Sequence, residues 1–221
     1  MTNYRKLTSA EIEVLKQQVC SASDWDQIEV AEGFLPETVH HTRFSGHVRL
    51  GVFRKEFCLP GGIRKPSGIG FATLHNVTVG DDCCIENVKN YIANYEIGHD
   101  TFIENVDIIL TDCVSSFGNG VEVSVLSETG GREVMIFDNL TAQTAYVMAL
   151  YRHRPEMVSR LRAMIESYVE NISSAVGVIG SNVTIVDSGY IKNVKVGDFC
   201  KIEGASRLKN GSINSREEAP V

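Results

Sequence analysis

No stretch of this chain is apolar for the roughly 18 to 20 residues that cross a bilayer, and the opening run Met1 to Glu13 mixes charges of both signs where a signal core would be apolar. The expectation is a cytoplasmic protein with no membrane partner. Cations are the scarcer charge, 21 Lys and Arg against 28 Asp and Glu, for a formal net charge of -7. Nucleic-acid affinity comes from neutralising phosphates with a basic surface, so no nucleic-acid partner is expected. No CxxC pair occurs among the six cysteines, which argues against a zinc knuckle and, in a chain read as leaderless, for reduced thiols. Walker, Rossmann and nucleophile-elbow motifs are missing too. With only 5 prolines and 43% hydrophobic residues in 221, the chain is not a disordered tail and is long enough to bury a sizeable core.

What the chain does contain is a repeat. Val79-Gly80-Asp81-Asp82-Cys83-Cys84-Ile85-Glu86-Asn87-Val88 returns 18 residues later as Ile97-Gly98-His99-Asp100-Thr101-Phe102-Ile103-Glu104-Asn105-Val106. Val79, Ile85, Tyr91, Ile97, Ile103 and Ile109 fall on one six-residue lattice; a second runs Ile179, Ile185, Ile191, then slips by one to Val196, Ile202 and Leu208. A helix selects every 3.6 residues and a strand every second one, so neither explains every sixth. A coil of three short strands does: 18 residues close a triangular turn, and turns stack at the ~4.8 Å spacing of paired strands. Lattice positions, extended back to Thr73, then point inward. Cys83, Thr101, Val183 and Cys200, each two residues before a lattice point, fill the interior beside a corner, while Cys84 is their outward and accessible neighbour.

The hexads Val79-Gly80-x-x-Cys83-x, Ile97-Gly98-x-x-Thr101-x, Ile179-Gly180-x-x-Val183-x and Val196-Gly197-x-x-Cys200-x resemble the hexapeptide-repeat superfamily of left-handed parallel β-helices. The left hand is what the resemblance implies; the spacing itself gives only the period. The strings Gly68 to Gly80, Asn90-Tyr91-Ile92-Ala93-Asn94-Tyr95, Glu128-Thr129-Gly130-Gly131-Arg132-Glu133 and Ala149 to Pro155 are similar to a Bacteroides-type family loosely described as related to UDP-N-acetylglucosamine pyrophosphorylases, whose members continue past this length. The expected fold is mainly β, a single-stranded left-handed parallel β-helix with an N-terminal helix and an inserted helical hairpin.

Four regions follow: residues 1–40 as a helical cap and strand, 41–114 as coils, 115–176 as an insertion, and 177–221 as further coils that are read as truncated. In the cap, Thr8 and Glu11 make a capping box before Ile12, Leu15 and Val19, and Trp25 is assigned to its core. Pro60-Gly61-Gly62 and Pro66-Ser67-Gly68 interrupt the beat, so loops are expected to protrude there. In the insertion, Val121 to Leu126 and Glu133 to Phe137 suggest a hairpin, with an irregular coil at Phe117 to Val121 as the alternative. Thr141 to Arg152 is helical in composition, and a second helix starts at Pro155 with Met157, Val158, Leu161, Met164, Ile165, Tyr168, Val169 and Ile172 as its apolar stripe. That stripe is expected to pack on a flank of the column or on another subunit.

The superfamily resemblance implies an acyltransferase or a non-catalytic companion of a sugar nucleotidyltransferase. Its acyltransferases use a histidine as general base on a sugar amine or hydroxyl, in a groove between neighbouring subunits of a trimer, with acetyl-CoA as donor. Of His40, His41, His47, His75, His99 and His153, the leading candidate is His75, beside the irregular segment Gly68 to Ala72; the alternative is a solvated corner. His99 sits in a regular hexad and reads as a corner. Arg152, His153 and Arg154 join the two inserted helices, where they complement a helix dipole or grip a nucleotide or coenzyme phosphate. Arg132 and Asn94, from the two family-like strings, complete the candidate substrate- and cofactor-binding set. No metal ligand set is read. The expected partner is a sugar or nucleotide sugar such as UDP-N-acetylglucosamine, bound by a homo-oligomer with a trimer favoured; a non-catalytic scaffold within a longer protein is the alternative.

Overall fold

The computed structural model describes residues 3–125 and 129–221; Leu126, at the end of the expected hairpin strand, and Glu128, at the start of the glycine-rich string, lie outside the described residues. The protein is mainly β, organised around a large parallel sheet. Three parallel ladders carry it. In the first, Ile69, Ile85, Ile103, Ile185 and Ile202 stand in register. In the second stand Phe44, Leu74, Ile92, Ile109, Ile191 and Leu208, and in the third Leu50, Val79, Ile97, Ile179, Val196 and Ile213. The chain visits the ladders in rotation, so residues of like shape recur one above another and their side chains meet in a single buried core. Cys83, Thr101, Val183 and Cys200 are buried beside them.

The lattice needs one correction. From the second ladder to the third the step is five residues, Leu74 to Val79, Ile92 to Ile97 and Ile191 to Val196. Asn76, Asn94 and Asn193 make that corner alone, with φ of 51°, 56° and 53°, and asparagine is among the few residues with a side chain that tolerate the left-handed region. A one-residue corner shortens the beat, so Ile92 and Leu74 point inward where Tyr91 and Thr73 were expected. The glycine that follows the third-ladder aliphatic answers a different demand, close approach between rungs. A Cβ on Gly98 would stand 2.6 Å from the carbonyl carbon of Gly180.

Helix α1 (Ser9–Gln17) opens with the Thr8–Glu11 capping box and buries Leu15 in the same core as the ladders. Parallel pairing has already begun by residues 21–22 and 28–30, which take the rung before Arg43–Phe44 and Val48–Leu50. Trp25 meets Phe44 edge-on at 6.5 Å.

Cys84 is also a correction: it is 2% exposed. The antiparallel hairpin Glu56–Cys58 with Arg64–Pro66, closed by Pro60-Gly61-Gly62, folds back over the outer side of the first ladder. Phe57 packs on Phe102 at 5.2 Å, and Lys65 reaches both Glu86 and Glu104 at 2.5 Å. An outward position on a rung is therefore covered here by chain that the six-residue beat does not describe.

Ser115 and Ser174 close the neck of the insertion through a pair of backbone hydrogen bonds. Beyond it, Glu122–Ser124 pairs antiparallel with Glu133–Met135, followed by α2 (Ala142–Leu150) and α3 (Pro155–Ile172). Val134, Met135, Met148, Ala149 and Ile165 form a second, smaller core. The stripe of α3 thus packs on the insertion's own strands and on α2, not on a flank of the ladders, and Met157 and Met164 at its margin stay exposed. Among the described residues no helix is long and apolar enough to cross a membrane.

Candidate functional site

The one-residue corner also builds a polar ladder across the rungs. His47 donates its backbone N–H to Asn76 Oδ1 (3.0 Å), Asn76 Nδ2 donates to Asn94 Oδ1 (3.1 Å), and Asn94 Nδ2 donates to the carbonyl of Thr111 (2.7 Å). Beside this ladder runs a groove of about 400 Å³, lined among others by His47, Arg49, Asn94, Glu96, Asp112 and Cys113. Tyr95 forms its floor, fully buried, donating its hydroxyl to the carbonyl of Val194 at 2.7 Å.

Charge at one end of the groove comes from consecutive rungs. Glu29 and Arg49 are register partners; Arg49 Nε donates to Glu29 Oε2 at 2.9 Å, and His47 Nε2 lies 3.3 Å from the same oxygen. The Arg49 hydrogen bond holds the Glu29 carboxyl below its ordinary range, so Glu29 stays ionised beside His47. Nδ1 of His47 has no hydrogen-bond partner among the described residues. At the other end, Lys192 pairs with Asp112 and brings its carboxyl down to about 2. Cys113 donates its thiol to Asp112 Oδ1 at 3.3 Å, and that hydrogen bond raises the thiol's pKa. Cys113 is thus held as a thiol, which is a weak nucleophile.

The structure brings two of the expected residues to this corner. Asn94 lines the groove, and His75 sits behind Asn76. Both ring nitrogens of His75 are engaged: Nδ1 shares a hydrogen bond with Ser45 Oγ at 2.9 Å, and Nε2 accepts from Asn76 Nδ2 at 3.1 Å. His99 accepts the backbone N–H of Asp81 at 2.9 Å on a solvent-facing corner.

The remaining candidates are elsewhere, in the insertion. Gly131 donates its N–H to Glu133 Oε1 at 2.6 Å, so the glycine turn that carries Arg132 closes on its own carboxylate. The Arg152 guanidinium lies against Gly131. His153 tilts over Tyr151 at 5.4 Å, and Arg154 is the N-cap of α3. His153 and Arg154 border a depression of about 610 Å³ with Met157, Arg160, Leu161 and Met164. That depression and the groove share no residue.

Sequence reasoning passed over the pairing of His47 with Glu29. The signal was present: Ile28 and Val48 are 20 residues apart and in register, which places Glu29 beside Arg49 and His47. The early rungs are longer than 18 residues, however, and a search at that period misses them.

The sequence matches the family model described as "Domain of unknown function (DUF4954)" over residues 4–221. A protein of Treponema pallidum (strain Nichols) described as "Uncharacterized protein" is 27% identical over 229 residues, a match that covers 99% of this chain. The chain spans 32% of the length of that curated relative. No solved structure matches.

Proposed function

The chain belongs to the DUF4954 family, and from that premise we propose that its ladders wind as a left-handed parallel β-helix of the hexapeptide-repeat kind and that the groove beside His47 carries acyl transfer to, or binding of, a nucleotide-linked amino sugar. The observation that carries this reading is the His47–Glu29 pair at the groove's end. A carboxylate on one ring nitrogen orients the imidazole, which leaves the other nitrogen to take a proton. The sugar amine gives its proton to His47 Nδ1 and attacks the acetyl-CoA carbonyl. A C–N bond forms, the C–S bond breaks, and the proton passes to the departing thiolate. Asn94 is a hydrogen-bonding group for the sugar, and His75 acts as a positioning residue that fixes Asn76. The protein is read as cytoplasmic and trimeric, a second subunit closing the groove. Arg132, Arg152, His153 and Arg154, separate from this groove, keep a phosphate-binding role only if such a neighbour brings them to it.

A second reading, a non-catalytic scaffold within a longer polypeptide, is favoured by the full engagement of the His75 ring. Chromatographic detection of free CoA and acetylated sugar, after incubation with acetyl-CoA and UDP-glucosamine, separates the two. Acyl transfer predicts CoA release that falls by roughly 10² to 10⁴ in His47→Ala. Absence of release, with no thermal shift by either ligand, sinks the enzymatic reading. Light scattering reports the trimer.

A further inference from the structure

A second cavity of about 400 Å³ shares no lining residue with the groove. Its walls are the returning strand of the outer hairpin, with Lys65 and Ser67, and the rungs on either side, with Glu37, His40 and Glu86. Gly68 and Gly70 let the intervening strand close in: a Cβ on Gly68 would lie 2.4 Å from the Thr38 carbonyl oxygen, and one on Gly70 2.3 Å from the His40 ring.

Three observations on this cavity need explaining together. Ser67 is 5% exposed, yet its hydroxyl has no hydrogen-bond partner among the described residues. Buried polar groups are almost always satisfied, so an orphan in a cavity wall marks a place where another molecule supplies the bond. The lining carries two carboxylates, Glu37 and Glu86, against the single Lys65 ammonium, and that ammonium is shared with Glu104 outside the wall, so the charge is one-sided. Such a wall repels phosphates and carboxylates and attracts ammonium groups. An imidazole completes the wall. His40 lines the cavity and is held from outside it by Phe71 and His41, which it meets edge-on, each at 5.6 Å.

We infer that this cavity is a binding site for a small hydroxylated ammonium compound, with Glu86 facing the ammonium and Ser67 meeting a hydroxyl. The site goes beyond the acyl-transfer reading and does not rest on it. Its role is binding without covalent chemistry, since burial pushes the thiol of Cys84 in its wall up to about 12 and thereby keeps it protonated.

Calorimetric titration of the full chain with glucosamine tests the site, with glucose as the same ring lacking an amine and glucose 6-phosphate as the anionic control. Glucosamine is expected to bind at least about 10-fold more tightly than glucose, and glucose 6-phosphate not to bind. Glu86→Gln should weaken glucosamine by about 10-fold. Ser67→Ala should weaken it as well, without lowering the unfolding midpoint of the free chain, because no internal hydrogen bond is lost. His47→Ala should leave the titration unchanged. Equal affinity for glucosamine and glucose, indifference to Glu86→Gln, or sensitivity to His47→Ala overturns the inference. So does a Ser67→Ala chain that is less stable yet binds as before.

Discussion

Asn76 and Asn94, one rung apart at the same corner, are joined side chain to side chain, the Nδ2 of the first donating to Oδ1 of the second at 3.1 Å. Farther along, Asn193 Nδ2 donates to Asp112 Oδ1 at 3.0 Å and to Asn210 Oδ1 at 3.2 Å. One residue type thus meets two demands, a left-handed backbone and an amide that bridges rungs.

Those two demands can be separated. Asn193→Ala loses both the amide bridge and the tolerance of φ 53°, and an expected cost of about 2 to 4 kcal/mol follows from a strained backbone plus lost hydrogen bonds. Asn193→Gly keeps the backbone and loses only the amide, so urea denaturation should place it between wild type and the alanine variant. Equal midpoints for the two variants would deny the backbone a part.

Close approach of rungs makes a second contrast. Gly98→Ala forces a Cβ against the Gly180 backbone, whereas a Cβ on Gly211 meets nothing within 4 Å among the described residues. The first substitution is expected to cost about 3 kcal/mol by overpacking against backbone that cannot give, and the second to stay within about 0.5 kcal/mol. Thermal unfolding of the pair measures the difference.

Acid should loosen the N-terminal helix. Arg5, followed by Thr8, holds the Glu11 carboxyl at about 2, against an ordinary 4.5. A carboxyl whose folded pKa is depressed contributes stability that is fully present above the unfolded value and is lost as pH falls toward the folded one. Stability should therefore decline between about 4.5 and 2, and Glu11→Gln should flatten that part of the profile when unfolding midpoints are compared across it.

Thiol labelling tests the covering of the first ladder. Cys58 and Cys113 are exposed, whereas Cys20, Cys83, Cys84 and Cys200 are buried, and burial pushes Cys83 and Cys84 up to about 12. Native chain should react with an aromatic disulfide reagent at two thiols, rapidly at Cys58 and more slowly at Cys113, whose pKa the Asp112 hydrogen bond raises. Replacing Phe57 by Ala, which removes the contact with Phe102, should speed reaction at Cys84. Rapid labelling of Cys84 in the native chain would show the hairpin to be open in solution.

The six-residue spacing of Ile97, Ile103 and Ile109, and again of Ile179, Ile185 and Ile191, fixed which residues enter the column, because aliphatics at a constant interval return to the same ladders turn after turn. Thr8 and Glu11, and Pro155 as the first residue of α3, were likewise legible, since a cap acts within four residues of the chain. Tyr91 and Thr73 were misplaced because a one-residue corner looks, in sequence, like any other asparagine. The pairing of His47 with Glu29 was legible only at a 20-residue spacing that the repeat does not use, and the covering of Cys84 by the hairpin and the cavity around Ser67 were not legible at all. Each joins residues 17 or more positions apart through segments whose length departs from the repeat, and the sequence carries no record of where such a segment comes to rest. Local periodicity determines what is buried along the ladders; only the packing of the irregular segments against them decides which polar groups face one another, and therefore where any chemistry can occur.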